Sequence, residues 1–192
     1  MLKNRRIPHL MILCSCLYSF PVLASHEQHR QHHHYDEYKT NFGITSYALN
    51  VGYDRKYLND EFSGLGIFMT HALSNSTALR GGVYSLEHLV KNRQAQGIDV
   101  QLLLGNNFER PGMKFYGGVG LYSETWKIAN ISEDYGGAQL IFGMGANFSV
   151  LSVDWWVALR SSGDYSASAT KEAGFPITTG AANGGLMFSI RF

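Results

Sequence analysis

Cysteine is scarce in this sequence. The only two, Cys14 and Cys16, lie within residues 1–24, a segment that we expect to be removed as a secretory signal peptide. A lipid-anchored alternative would need a box of small residues directly before a cysteine, and the residues before both cysteines fit such a box poorly. The mature chain would then have no thiol, which excludes a disulfide framework.

Long apolar runs are absent as well. After the N-terminus there is no stretch of about 20 apolar residues, which excludes a membrane-spanning helix. Yet 45% of the residues are hydrophobic, and they are spread as alternating single residues among 21 glycines, with only 4 prolines. A closed β-barrel is the other structure that satisfies its backbone hydrogen bonds inside lipid. The sequence therefore favours a barrel if the protein enters a membrane.

The chain also lacks an excess of positive charge. It has 16 Lys and Arg against 15 Asp and Glu. Three of the cations, Lys3, Arg5 and Arg6, form the basic region of the predicted signal, followed by the apolar residues 10–20 and a small-residue cleavage site at 22–24. Cleavage after residue 24 would leave a slightly acidic chain, so nucleic acid is not an expected partner.

Residues 25–43 are rich in histidine and show no hydrophobic period, which predicts a flexible periplasmic leader. Neutral imidazole binds transition metals. The candidate metal ligands are His26, His29, His32, His33 and His34. Any affinity would be weak because no rigid scaffold imposes a geometry, and we expect no other cofactor. The alternative is a soluble low-complexity spacer.

From residue 44 to residue 192 apolar and polar side chains alternate, which predicts β-strands. Eight such segments cover residues 47–53, 65–73, 79–83, 98–104, 115–121, 138–144, 151–159 and 184–192. Polar segments at 54–61, 87–96, 123–135 and 161–176 are the predicted long loops, and short turns alternate with them. This arrangement predicts an all-β fold: an eight-stranded antiparallel up-and-down transmembrane β-barrel, with its long loops outside the cell.

Six charged residues lie on the strand faces opposite the apolar side chains. They are Arg80, Asp99, Lys114, Asp154, Arg160 and Arg191. Against lipid, each mid-strand cation would cost about 2 to 4 kcal/mol, so we place them inside. An eight-stranded barrel has room only for its own side chains, which predicts a plugged lumen with paired charges. The alternative is a soluble barrel of the lipocalin type, with the apolar face inside.

The last strand has a distinct pattern. Leu186, Phe188, Ile190 and Phe192 share one face, and the sequence ends on an aromatic residue. This strand resembles the closing strand of bacterial outer-membrane β-barrels, and residues 44–192 resemble the small outer-membrane proteins of the OmpX, OmpA-barrel and opacity-protein type. The resemblance implies that Phe188, Ile190 and Phe192 are a signal for the barrel assembly machinery. It also implies location in the cell outer membrane, among its lipid and lipopolysaccharide.

These observations favour a structural or surface-interaction role, in which the extracellular loops contact a host or surface ligand. One alternative is a small-solute porin. Another is an enzyme that modifies lipid A, which would use a serine with a histidine and a carboxylate at the rim. The residues available for it are His71, Ser74, Glu87 and His88. Their spacing does not match such a motif, so we expect no enzyme.

Overall fold

A computed structural model describes residues 38–54, 59–128 and 131–192. In this part of the chain there are eight strands and one helix. In order they are β1 (Thr40–Tyr53), β2 (Asn59–Ser74), β3 (Thr77–His88), β4 (Arg93–Gly105), β5 (Gly112–Ile128), β6 (Ile131–Asn147), β7 (Leu151–Arg160), α1 (Gly163–Ala173) and β8 (Thr179–Arg191). The predicted signal peptide and the five histidines of the leader lie outside the described residues.

Each strand pairs antiparallel with its neighbour in sequence, and β8 pairs with β1, so the sheet closes into a barrel. At the closure Phe42 lies opposite Ile190, and Gly52 lies opposite Gly180. Closure leaves no sheet edge with unpaired backbone groups, as lipid requires. The predicted eight-stranded antiparallel barrel is confirmed.

The two ends of the barrel differ. At one, the terminal end, the backbone N–H of Thr40 donates to the carbonyl of Phe192, and the turns at 75–76, 106–111 and 148–150 are found there. At the other, the helix end, lie α1 and the turn at 89–92. No described helix is long and apolar enough to cross a membrane.

Large apolar side chains cover the outside of the barrel. This apolar belt comprises Phe42, Ile44, Leu65, Ile67, Met69, Leu79, Val83, Ile98, Val100, Leu102, Leu104, Met113, Phe115, Val119, Leu121, Leu140, Phe142, Met144, Leu151, Trp155, Leu159, Leu186, Phe188 and Ile190. A continuous apolar surface of this extent is incompatible with water and matches hydrocarbon. The soluble lipocalin-type alternative is therefore excluded.

β1 departs from the pattern of the other strands. The apolar residues of the predicted first strand, Tyr47, Leu49 and Val51, point into the lumen. Inside, the ring of Tyr47 stacks on Tyr84 at 4.4 Å and meets the edge of Trp156 at 5.0 Å. Near the helix end the lumen is thus filled by aromatic packing, so apolar residues occupy the inner face there.

The strands are longer than the apolar alternation predicted. β1 begins at Thr40, four residues before the predicted start of the barrel at residue 44. β5 ends only at Ile128 and β6 already begins at Ile131, so these two strands take up most of the predicted loop 123–135. The predicted loop 87–96 shortens to residues 89–92. Beyond the belt the outer face need not be apolar, so the alternation of apolar and polar residues stops there. The hydrogen bonds between the strands nevertheless continue.

The predicted loop 161–176 contains α1, which is a further correction. Its sequence, GDYSASATKEA, has three alanines and good helix formers near its end. Asp164 in the first turn and Lys171 in the last turn complement the helix dipole. Gly174 ends the helix with a left-handed φ of 75°, and its N–H donates to the carbonyl of Thr170. The helix was missed because it has no marked apolar stripe.

Candidate functional site

All six predicted lumen charges are buried inside the barrel, and none is more than 6% exposed. They do not gather in one cluster. Among these six, one direct ion pair forms, between Lys114 and Asp154. Of the other four, Asp99 and Arg160 share the hydroxyl of Tyr47, while Arg80 and Arg191 each have partners of their own.

The Lys114 ammonium of β5 is held by side chains from two other strands, β6 and β7. Its Nζ lies 2.9 Å from Oδ1 and 3.0 Å from Oδ2 of Asp154. It also donates to Asn147 Oδ1 at 3.1 Å and to Ser152 Oγ at 3.2 Å. The partners come from the ends of β6 and β7 nearest the terminal end. This is a charge pair removed from water and surrounded by neutral acceptors, as a stable buried ion pair requires.

Glu124 is the partner of Arg160, whose Nη1 lies 2.6 Å from Oε2. The same carboxylate accepts from Tyr84 Oη at 2.7 Å, from Trp126 Nε1 at 2.7 Å and from Tyr165 Oη at 2.6 Å. Both members of the ion pair are fully buried. Glu124 therefore organises the aromatic half of the lumen.

Sequence reasoning missed Glu124 because residues 123–135 were predicted to be a loop. A signal was nevertheless present. In β5 the inward positions recur every two residues through Lys114, Tyr116 and Tyr122, and the same period continues to Glu124 and Trp126. Following that inner period past the last apolar residue would have found the carboxylate.

Tyrosine hydroxyls hydrogen-bond to two further charged side chains. Asp99 accepts from Tyr47 Oη at 3.1 Å. Arg80 donates from Nε to Thr70 Oγ1 at 3.0 Å and from Nη2 to Tyr116 Oη at 3.2 Å. The remaining cavity beside Arg80 and Asp99 is about 10 Å³, which is room for about one water molecule. In the part of the chain that the structure describes, the lumen around these side chains is therefore closely packed.

Arg191 closes the terminal end. Its guanidinium donates to the carbonyls of Phe148 at 2.7 Å and Glu109 at 3.0 Å, which belong to two different turns. Beside it the ring of Phe108 is buried and lies 5.9 Å from that of Tyr116. The last residue of β8 thus ties two turns across the mouth of the barrel.

Tyr165 closes the helix end. Its ring stacks on Tyr135 at 4.8 Å and packs against Trp126 at 5.6 Å. Burial raises the pKa of the Tyr165 hydroxyl, and the charge of Glu124 adds to the effect, so the hydroxyl stays a neutral donor. The first turn of α1 is held by Asp164, whose Oδ2 accepts from the backbone N–H of Gly136 at 2.9 Å.

Asp60 gathers four donors at the rim of the helix end, beyond the apolar belt. Lys91 Nζ lies at 2.6 Å, Tyr53 Oη at 2.8 Å, His88 Nε2 at 3.0 Å and Arg93 Nη1 at 3.2 Å. The proton on Nε2 is fixed because Nδ1 of the same ring accepts two backbone N–H groups of the following turn. Partial burial opposes ionisation, but the hydrogen bonds from Lys91 and Tyr53 outweigh it and hold the pKa of Asp60 below its usual range.

The residues considered for an enzyme are not brought together. Nδ1 of His71 lies 3.1 Å from Thr40 Oγ1 on the outer surface, and Ser74 hydrogen-bonds to a neighbouring serine. His88 is the last residue of β3. The prediction that it lies in the loop 87–96 is therefore corrected. Glu87 precedes it on the opposite, exposed face.

A cleft of about 660 Å³ opens at the helix end, between α1, the turn after β3 and the start of β6. This helix-end cleft is lined by Tyr53, Asp60, Lys91, Arg93, Trp126, Ile131, Glu133, Tyr135, Tyr165, Ser168, Ala169, Lys171, Glu172, Ala173 and Ile177. Its volume falls in the range of small-molecule sites, and its lining combines aromatic walls with charges of both signs. Sequence reasoning missed it because its walls come from segments predicted to be loops.

Comparison with known proteins identifies the fold. No protein-family model and no curated protein matches the sequence. Among solved structures, Ail, the attachment invasion locus protein of Yersinia pestis, is similar with a TM-score of 0.51 at 16% identity, over 81% of this chain and 99% of Ail. Neisserial surface protein A is similar with a TM-score of 0.50 at 11% identity, and the match covers 78% of this chain and 95% of the Neisserial chain.

At such identities the likeness shows the fold alone, and the apolar belt supplies the independent argument for a membrane. The predicted location is thereby confirmed. The chain has the fold of the small eight-stranded outer-membrane β-barrels and lies in the cell outer membrane.

Proposed function

We propose that this protein is a surface-interaction protein whose helix end faces the outside of the cell and contacts a ligand there. The observation that carries the proposal is the combination of the helix-end cleft with exposed apolar side chains around it. Leu89, Val90 and Ile131 are 61%, 89% and 64% exposed, and they lie at the tips of β-hairpins beyond the apolar belt. Apolar side chains presented to water beside a cleft are typical of interaction sites.

The packed lumen supports this proposal against the small-solute porin. Phe108 and Arg191 fill the terminal mouth, Tyr165 fills the other, and the cavity between them has room for about one water molecule. A porin needs a wider barrel or an open interior. We therefore expect no discrete conductance steps when the protein is inserted into planar bilayers. Stable steps would favour the porin.

An array of host-surface glycans and extracellular-matrix proteins tests the interaction itself. The probe is the full chain, folded in lipid nanodiscs. We expect at least one component to bind the unmodified protein and to bind Val90→Asp about tenfold more weakly, because a charge opposes burial of that position.

Val150→Asp is the matched control, since Val150 is an exposed valine in a turn at the terminal end. It should bind as the unmodified protein does. If nothing on the array binds, or if the two aspartate variants lose binding equally, the proposed surface role is wrong.

A further inference from the structure

A second concavity, of about 750 Å³, lies on the outside of the barrel across β1 to β5. We call it the lateral groove. Toward the middle of the barrel its exposed walls are apolar: Ile44, Leu65, Ile67, Val83 and Ile98. Toward the helix end they change to Ser85, Gln96, Ser123 and Thr125. The groove therefore crosses the boundary between the apolar belt and the polar rim.

The groove is built into the backbone at two glycines. A Cβ atom at Gly97 would lie 2.4 Å from Tyr84 Oη and 2.7 Å from the carbonyl oxygen of Ser123. A Cβ at Gly66 would lie 2.9 Å from the carbonyl oxygen of Val83. At both positions the sheet approaches the lumen packing more closely than any other residue type allows. The shape thus does not depend on the rotamer of a surface side chain.

The polar part of the groove is uncharged. The side chains of Ser85, Gln96 and Ser123 form no hydrogen bond with other described residues, while Thr125 Oγ1 donates to Asp134 Oδ1 at 2.6 Å. The one charged residue in the lining, Glu124, is fully buried and bonded to lumen partners. Neutral donors and acceptors beside an aspartate suit hydroxyl or amide groups, and they do not suit a phosphate.

We propose that the lateral groove binds one glycolipid of the outer leaflet. An acyl chain lies along the apolar walls at Leu65, Val83 and Ile98, and the uncharged sugar next to it bonds to Ser85, Gln96 and Ser123. The choice of leaflet rests on the proposed function, which turns the helix end outward. The groove matches both the acyl chain and the sugar of such a ligand. Its lining changes from apolar to hydrogen-bonding at the depth in the membrane where a lipid changes from acyl chain to headgroup.

Native mass spectrometry of the full chain tests the proposal. The protein is placed in phosphatidylcholine nanodiscs that contain equal small amounts of a diacyl glucosyl-glycerol and of phosphatidylglycerol with the same chains. We expect one glucolipid to remain bound, enriched about tenfold over phosphatidylglycerol, since two or three hydrogen bonds to the sugar are lost with the phosphate.

Ser85→Trp should reduce this retention to the level of the bulk lipid, because the indole fills the centre of the groove. Ala138→Trp is the control: it adds the same side chain to an exposed position of β6, outside the lining. Equal retention of the two lipids, or equal effects of the two tryptophans, would overturn the proposal. Labelling of an α1 cysteine, Glu172→Cys, on intact cells tests the orientation separately.

Discussion

Removing the carboxylate of Asp154 probes the ionic packing of the lumen. Both side chains of the Lys114–Asp154 pair are at most 2% exposed, so neither charge is solvated by bulk water. In Asp154→Ala the Lys114 ammonium keeps two neutral acceptors, Asn147 Oδ1 and Ser152 Oγ. A buried charge that loses its partner typically costs about 3 to 5 kcal/mol. With a urea dependence of about 2 kcal/mol per molar, the unfolding midpoint should fall by about 2 M.

The measurement is urea unfolding in phospholipid vesicles, followed by tryptophan fluorescence. Glu172→Ala is the control, because it removes an exposed carboxylate from α1 and should leave the midpoint unchanged. The double variant Lys114→Met with Asp154→Leu should recover most of the stability, since no unpaired charge remains buried. If Asp154→Ala and Glu172→Ala unfold at the same urea concentration, Lys114 is solvated and the lumen is not a packed ionic core.

Three further predictions concern the two ends and the wall of the barrel. Tyr165→Ala should let protease cleave α1 faster, while Tyr165→Phe, which keeps the ring, should be intermediate; a resistant alanine variant would show that this ring does not anchor the helix. Gly97→Ala should lower the folded fraction in heat-modifiable gel mobility because of the clash with Tyr84, whereas Gly81→Ala, whose Cβ would meet nothing closer than 3.9 Å, should fold normally; equal folding would contradict the close approach. Deleting Phe192, which is 65% exposed on the outer face, should reduce the amount of protein in the outer membrane more than the loss of one lipid-facing aromatic side chain, about 3 kcal/mol at most, would explain; normal levels would mean that it is not an assembly signal.

The part of each strand that lies at the level of the apolar belt could be predicted from sequence. There lipid demands an apolar outer face, so Ile98, Val100 and Leu102 alternate with Asp99 and Gln101, and the period of two is visible. Beyond the belt this demand ends. The rim of the barrel was therefore predicted to be loop.

The helix-end cleft could not be predicted for the same reason. Asp60 and Tyr165 each lie in a segment without an apolar period, and nothing local indicates that they line a common cleft. Their roles depend on partners that are distant in the sequence: Tyr165 donates to Glu124, and Asp60 pairs with Lys91. Such pairings follow from closure of the sheet.

The sequence by itself determined the number of strands and, within the belt from β2 to β8, which side chains face lipid, because both depend on a period of two that these strands carry in their own residues. Only the tertiary structure decided which charges meet. Lys114 reaches Asp154 across 40 residues, and Arg160 reaches Glu124 across 36. The physical reason is that strand register is set by hydrogen bonds between segments distant in sequence, and a shift of one residue would turn each of these side chains to the other face.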